Sequence, residues 1–232
     1  MRTTLAILNK QCKDSLNNLP SLMIMIIYPA VAFIMVTALG SQDGIDGPMS
    51  SMFISMFATM HCAFVPITIA STVISEEKEK GTLRSLIMSG VGRVNYLISI
   101  SLFIIVAVML TGCTFLLMDK FTHQEMCEFI VTMLCGTVIS TLLGLCIGIN
   151  AKNVAAASGT AMPVGLVLAL LPMLAQFNDA IAKVSKFTYS GQISLVLEGG
   201  RAVTAEMLEV CGAYAVIFAV LLTLIFRKKG LE

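Results

Sequence analysis

The sequence predicts an all-α polytopic membrane protein: six transmembrane helices, an N-terminal amphipathic interfacial helix, and re-entrant outer helices between spans five and six. Three observations predict it. The 232-residue chain is 57% hydrophobic and only 12% charged, with a mean hydropathy of +0.90, whereas an ordinary soluble domain is about 25% charged. A water-soluble body of this size could not hide that much apolar surface. The charges also cluster, leaving six uncharged windows at 15–42, 47–75, 94–118, 129–151, 153–178 and 210–226. Crossing the hydrocarbon takes about 20 residues of helix, with a lower bound of roughly 17, and each window reaches it. Finally, the windows are continuous apolar runs without period-two alternation, which excludes a barrel. A soluble enzyme, a nucleic-acid binder and a disordered chain are excluded with it.

Residues 1–19 form the first element. Leu5, Leu8, Cys12, Leu16 and Leu19 recur at steps of three and four, while Arg2, Asn9, Lys10, Lys13 and Asn17 fill the remaining positions. Such a stripe predicts a helix lying in the membrane interface, and Pro20 marks the turn into the bilayer. A flexible basic leader is the alternative. The transmembrane domain, 20–232, follows with spans at about 22–40, 49–75, 95–117, 127–150, 154–177 and 208–226. Ala38-Leu39-Gly40 loosely resembles a signal cleavage site, but the segment ahead of the apolar run is too long for a signal n-region, so the first span is kept. The outer stretch 179–205 mixes Ile181, Val184 and Phe187 with Gly191, Gly199 and Gly200. It is too interrupted to span and too apolar to be free, which suits short helices dipping into the outer leaflet against protein.

Orientation follows Lys and Arg. Eleven of the fifteen basic residues fall on the face holding both termini and the second–third loop; Lys120, Lys183, Lys186 and Arg201 fall on the other. A multi-pass protein of the plasma membrane with both termini cytoplasmic is expected.

Chemistry of its own is not expected. There is no G-x-x-x-x-G-K-[ST] loop, no H-E-x-x-H pair and no G-x-S-x-G elbow. Only His61 and His123 occur, and seven cysteines lie without a C-x-x-C pair, as small hydrophobes. No catalytic residue, metal site or cofactor of the chain itself is assigned, and no nucleic-acid partner. No Asp, Glu, Lys or Arg lies in any window, so nothing there but His61 is left to carry a coupling proton. Uphill transport would draw its energy from outside the membrane.

The loop 76–93 is the most informative segment. Glu76, Glu77, Glu79 and Lys80 extend the second span into water as a charged helix, and Gly81 lets the chain break. Thr82 is placed to cap a short helix on which Leu83, Leu86 and Ile87 form an apolar patch beside Arg84, with Ser89, Gly90 and Gly92 near its end. An exposed apolar patch on such a loop fits docking of a soluble partner. Leucines dipping into the headgroups fit the same pattern.

The acidic run followed by Gly81-Thr82-Leu83, Leu86, Ser89, Val91 and Arg93 resembles the second–third loop of the type 2 membrane permeases of ATP-binding-cassette exporters. The overall plan resembles theirs too, although Gly90 stands where that family usually has Pro. The resemblance implies that 81–89 is a coupling helix seated in a groove of a separate cytoplasmic ATPase, with 76–80 as the lever joining it to the second span. It further implies two ATPase copies carrying Mg-ATP, a second permease that is an identical copy, and outward transport.

For the path, Ser51, Ser55, Thr59 and Cys62 line one face of the second span, with Met56 nearby, and Ser158 and Thr160 mark the fifth. A mildly polar, uncharged stripe faces protein or a cavity rather than lipid, and suits an amphipathic or hydrophobic cargo such as a peptide or drug. Hydroxyls bonding back to their own helix are the plainer alternative. Gly136, Ser140, Gly144 and Gly148 make a small-residue stripe for close helix packing. A different class of function stays open: a membrane immunity or scaffold protein that binds a toxin peptide without pumping it. Membrane lipids surround either.

Overall fold

The computed structural model describes residues 10–14, 18–43, 48–88, 92–119, 121–199 and 203–229. Residues 10–14 form a helical turn, α1. The remaining helices are α2 (Leu19–Asp43), α3 (Pro48–Glu79), α4 (Thr82–Met88), α5 (Arg93–Gly112), α6 (His123–Asn150), α7 (Val154–Ala175), α8 (Asp179–Ser185), α9 (Tyr189–Gly199) and α10 (Ala205–Lys229); a 3₁₀ turn, Cys113–Leu117, extends α5. Among the described residues there is no strand. Six helices (α2, α3, α5, α6, α7 and α10) are long and apolar enough to cross a membrane. The protein is an all-α, multi-pass membrane protein. Of the interfacial helix, Leu5, Leu8 and Leu16 lie outside the described residues, and Cys12 is exposed.

The helices begin and end where local chemistry dictates. Thr122 and Glu125 form a reciprocal capping box that starts α6. The Asn153 side chain accepts from Ala156 N–H to start α7, and Asn178 does the same for α8.

Packing is uneven, and α3 is the axis. Two thirds of its apolar window is buried, against 6% for α10. The reason is the small-residue stripe of α6. A Cβ on Gly144 would stand 2.6 Å from the Ile67 carbonyl oxygen, and one on Gly148 would stand 2.8 Å from that of Ser71. The stripe seats α6 directly on the α3 backbone, so close approach is spent within one chain. Ser140 and Tyr189 share a 2.8 Å hydrogen bond that ties α9 to α6. Tyr189 and Ile193 are fully buried, so α9 dips against protein instead of lying free.

Two apolar clusters result. One lies toward the charged face and gathers Ile69, Ile74, Leu83, Tyr96, Ile100 and Ile149. The other lies toward the opposite face around Ile54, Cys62, Phe115, Met133, Tyr189 and Ile193.

Candidate functional site: the charged end of the central helix

Four consecutive residues of an α-helix sweep slightly more than one full turn, so their side chains leave in four directions. At the charged end of α3 each direction meets something different. Glu77 points inward and is buried. Its Oε1 accepts from Lys10 Nζ at 2.7 Å and from Gln11 Nε2 at 2.8 Å, both on α1. Thr82 Oγ1 donates to Glu77 Oε2 at 3.3 Å and to the Glu77 carbonyl at 3.2 Å, so the threonine of the loop ties α4 back to α3. Buried Tyr96 stands beside the same carboxylate without a well-aligned bond to it. A carboxylate removed from water needs such partners.

Lys78 points toward α6. Its Nζ donates to the carbonyls of Ile149 at 2.8 Å and Ala151 at 2.9 Å, placing a cation where the α6 dipole ends. Glu79 Oε2 accepts from Val154 N–H at 3.0 Å, placing an anion where the α7 dipole begins. Glu76 pairs with Lys80 along α3 at 2.5 Å. The hydrogen bond and charge of Glu76 hold the Lys80 ammonium above its ordinary pKa. On the alkaline side the pair therefore loosens only when pH exceeds the usual lysine range.

Gly81 then reverses the chain with φ of +68°, a left-handed conformation that costs a Cβ-bearing residue about 1–2 kcal/mol. Leu83 returns into the core at 1% exposure, against Ile74 and Tyr96, and so anchors α4 to the body of the chain. The surface α4 turns outward includes Ser85 and Met88, the latter 79% exposed. Arg84, Leu86 and Ile87 sit on α4, but their side chains, like Ser89 entirely, lie outside the described residues.

Beside this clasp lies a cavity of about 490 Å³ between α2, α3 and α7. Thr68, Thr72 and Glu76 of α3 and Lys80 just past its end, spaced by four, form one wall; Ile24 closes the α2 side, and Ser158, Ala161 and Met162 the α7 side. A more polar cavity of about 750 Å³ adjoins it toward α1, and the two share Asn18, Pro20, Ser21, Glu76 and Lys80.

Of the residues expected to line a path, Ser158 is half-buried on that cavity wall and Thr160 is exposed on α7. Ser51 is exposed, whereas Ser55, Met56, Thr59 and Cys62 are buried in this chain. Ser55 Oγ donates to the Ser51 carbonyl at 2.9 Å, Thr59 Oγ1 to that of Ser55 at 2.8 Å, and Cys62 Sγ to that of Thr59 at 3.3 Å. The plainer alternative thus describes their hydroxyls in the single chain. Further along α3, Thr68 and Thr72 line the cavity, and their hydroxyls likewise donate to carbonyls of their own helix. His61 Nε2 lies 3.0 Å from Thr111 Oγ1 and 3.2 Å from the Val108 carbonyl, bridging α3 to α5. Among the described residues no cluster of three or more His, Cys, Asp or Glu is arranged to hold a metal ion.

A model of the ABC-2 type transporter family matches residues 2–194, from the N-terminal segment into α9. The chain belongs to this family. No curated protein matches it. As an ABC-2 permease it is a membrane subunit of an ATP-binding-cassette transporter, which works with an ATPase partner. The matched region of the permease takes in the clasp, α4, and the α2, α3 and α7 walls of the cavity.

Sequence reasoning missed Lys10, Gln11, Lys78, Thr68 and Thr72. The threonines carried a signal, since with Glu76 and Lys80 they repeat every fourth residue. The partners that Glu77 finds on α1 and Lys78 at the end of α6 carried none: they lie 66 to 73 residues away in sequence.

Proposed function

We propose that this permease is the membrane subunit of an exporter that moves an amphipathic or hydrophobic cargo, peptide or drug-like, out of the cell. Two copies pair, each engaging one of two cytoplasmic ATPases that bind Mg-ATP, and both termini face the cytoplasm. Residues 81–89 act as the coupling helix. The ATPases close on nucleotide, α4 moves with them, and α3 carries that displacement to the ends of α6 and α7. The ATPase needs only a different fit to α4 in its two states to drive the change.

The observation that supports this reading is the clasp. Residues 77, 78 and 79 tie α3 to α1 and α4, to α6, and to α7 respectively, so force applied at α4 has defined outlets. The face of α7 bearing Ala155, Ala156, Gly159, Thr160 and Pro163 is exposed. Its small and mildly polar residues suit either close approach to a second copy or a shared path.

The test is co-purification of the ATPase with the permease. Ser85→Arg combined with Met88→Asp alters only outward residues of α4 and is expected to abolish capture while leaving the permease folded. Capture that survives this double change would contradict docking at α4.

A further inference from the structure

The two adjoining cavities differ in character. The smaller has Ile24, Ile69, Ala161 and Met162 in its wall, at a depth where α2 and α7 cross the membrane. The larger is walled by Lys10, Asp14, Glu76, Glu77 and Lys80 at the charged end of α3. They share Pro20, Ser21, Glu76 and Lys80, so one molecule could occupy both, with an apolar body in the first and a polar head in the second. Both volumes, about 490 and about 750 Å³, fall in the range of small-molecule sites, roughly 300–1,000 Å³.

Charge selects the head. Among the described residues, Asp14, Glu76, Glu77 and Glu79 contribute to these walls against Lys10 and Lys80. Lys80 is matched by Glu76 and Lys10 by Glu77. Asp14, 3.9 Å from the same Lys10, and Glu79, bonded to a neutral backbone N–H, are the surplus. An anionic head would meet this excess of like charge, whereas an ammonium would be attracted while keeping part of its hydration at the open mouth.

We infer that these joined cavities are a binding site for a cationic amphiphile, its apolar part between α2, α3 and α7 and its ammonium at the acidic end of α3. Use of the site for cargo rests on the export reading; the binding does not.

Binding is measured on the purified permease alone, in a neutral detergent, with a diazirine-bearing long-chain alkylamine as probe. The alcohol and sulfonate of the same chain are run in parallel. The amine is expected to label the stretches 20–24, 68–76 and 158–162 about threefold more than the alcohol, as a pair of partly exposed charges would give, and the sulfonate least. Met162→Trp and Ile24→Trp, which fill the apolar cavity, are expected to remove that labelling. Asp14→Asn with Glu79→Gln is expected to erase the preference for the amine while leaving the alcohol's labelling in place. Equal labelling by all three heads, which needs no variant to observe, would overturn the inference. So would undiminished labelling in the tryptophan variants. Because no ATPase is present, a negative result here leaves the export reading standing, and loss of ATPase capture leaves this site standing.

Discussion

The two ends of α3 handle polarity in opposite ways. From 55 to 62 its hydroxyls and thiol bond back to carbonyls of the same helix, while His61 makes the polar reach to a neighbour, α5. From 77 to 79 every side chain reaches another element. At membrane depth a polar side chain is satisfied most cheaply by its own helix, because no water and few foreign partners are available. At the interface the free carbonyls and N–H groups of neighbouring helix ends supply partners. The hydroxyls and thiol of 55–62 are therefore locally self-contained, and the charged residues at the other end connect elements.

Substitutions sharpen that contrast, and unfolding in detergent is the common measurement. The largest effect is expected where α6 sits directly on the α3 backbone. Gly144→Val drives side-chain atoms into the Ile67 backbone and is expected to cost about 3 kcal/mol, near the upper end of overpacking. Gly159→Ala is the control, with nothing within 4 Å of its added Cβ, and should raise stability by about 0.5–1 kcal/mol through helix propensity alone. Next comes Glu77→Ala, which strands Lys10, Gln11 and Thr82; about 2–3 kcal/mol is expected, below the usual cost of breaking a buried pair because Lys10 is part exposed. Lys78→Met uncaps α6 and is expected to cost about 1 kcal/mol. Smallest is Thr59→Val, expected below about 0.5 kcal/mol because only a bond within its own helix is lost. A Thr59 cost equal to that of Glu77 would erase the distinction between the two regions.

The six spans were legible because uncharged length alone decides them. The small-residue stripe of α6 was legible from its spacing, but its partner, α3, was not. Leu83 shows why the loop was read only in part. Spacing grouped it with Leu86 and Ile87 as one patch, yet the left-handed turn at Gly81 brings α4 back under α3 and sends Leu83 inward. Lys10 and Gln11 were hidden differently. Lys10 fell on the polar face of the interfacial helix and Gln11 drew no reading, and only a buried carboxylate far along the chain gives either its partner.

The central claim is that α3 passes displacement of α4 on to α6 and α7. Hydrogen exchange of residues 147–157, measured with and without the nucleotide-bound ATPase, tests it most directly. Protection at this junction is predicted to change when the ATPase binds, and that response should disappear in Lys78→Met with Glu79→Gln while protection of α4 itself persists. An unaltered junction response in the double variant would contradict the account.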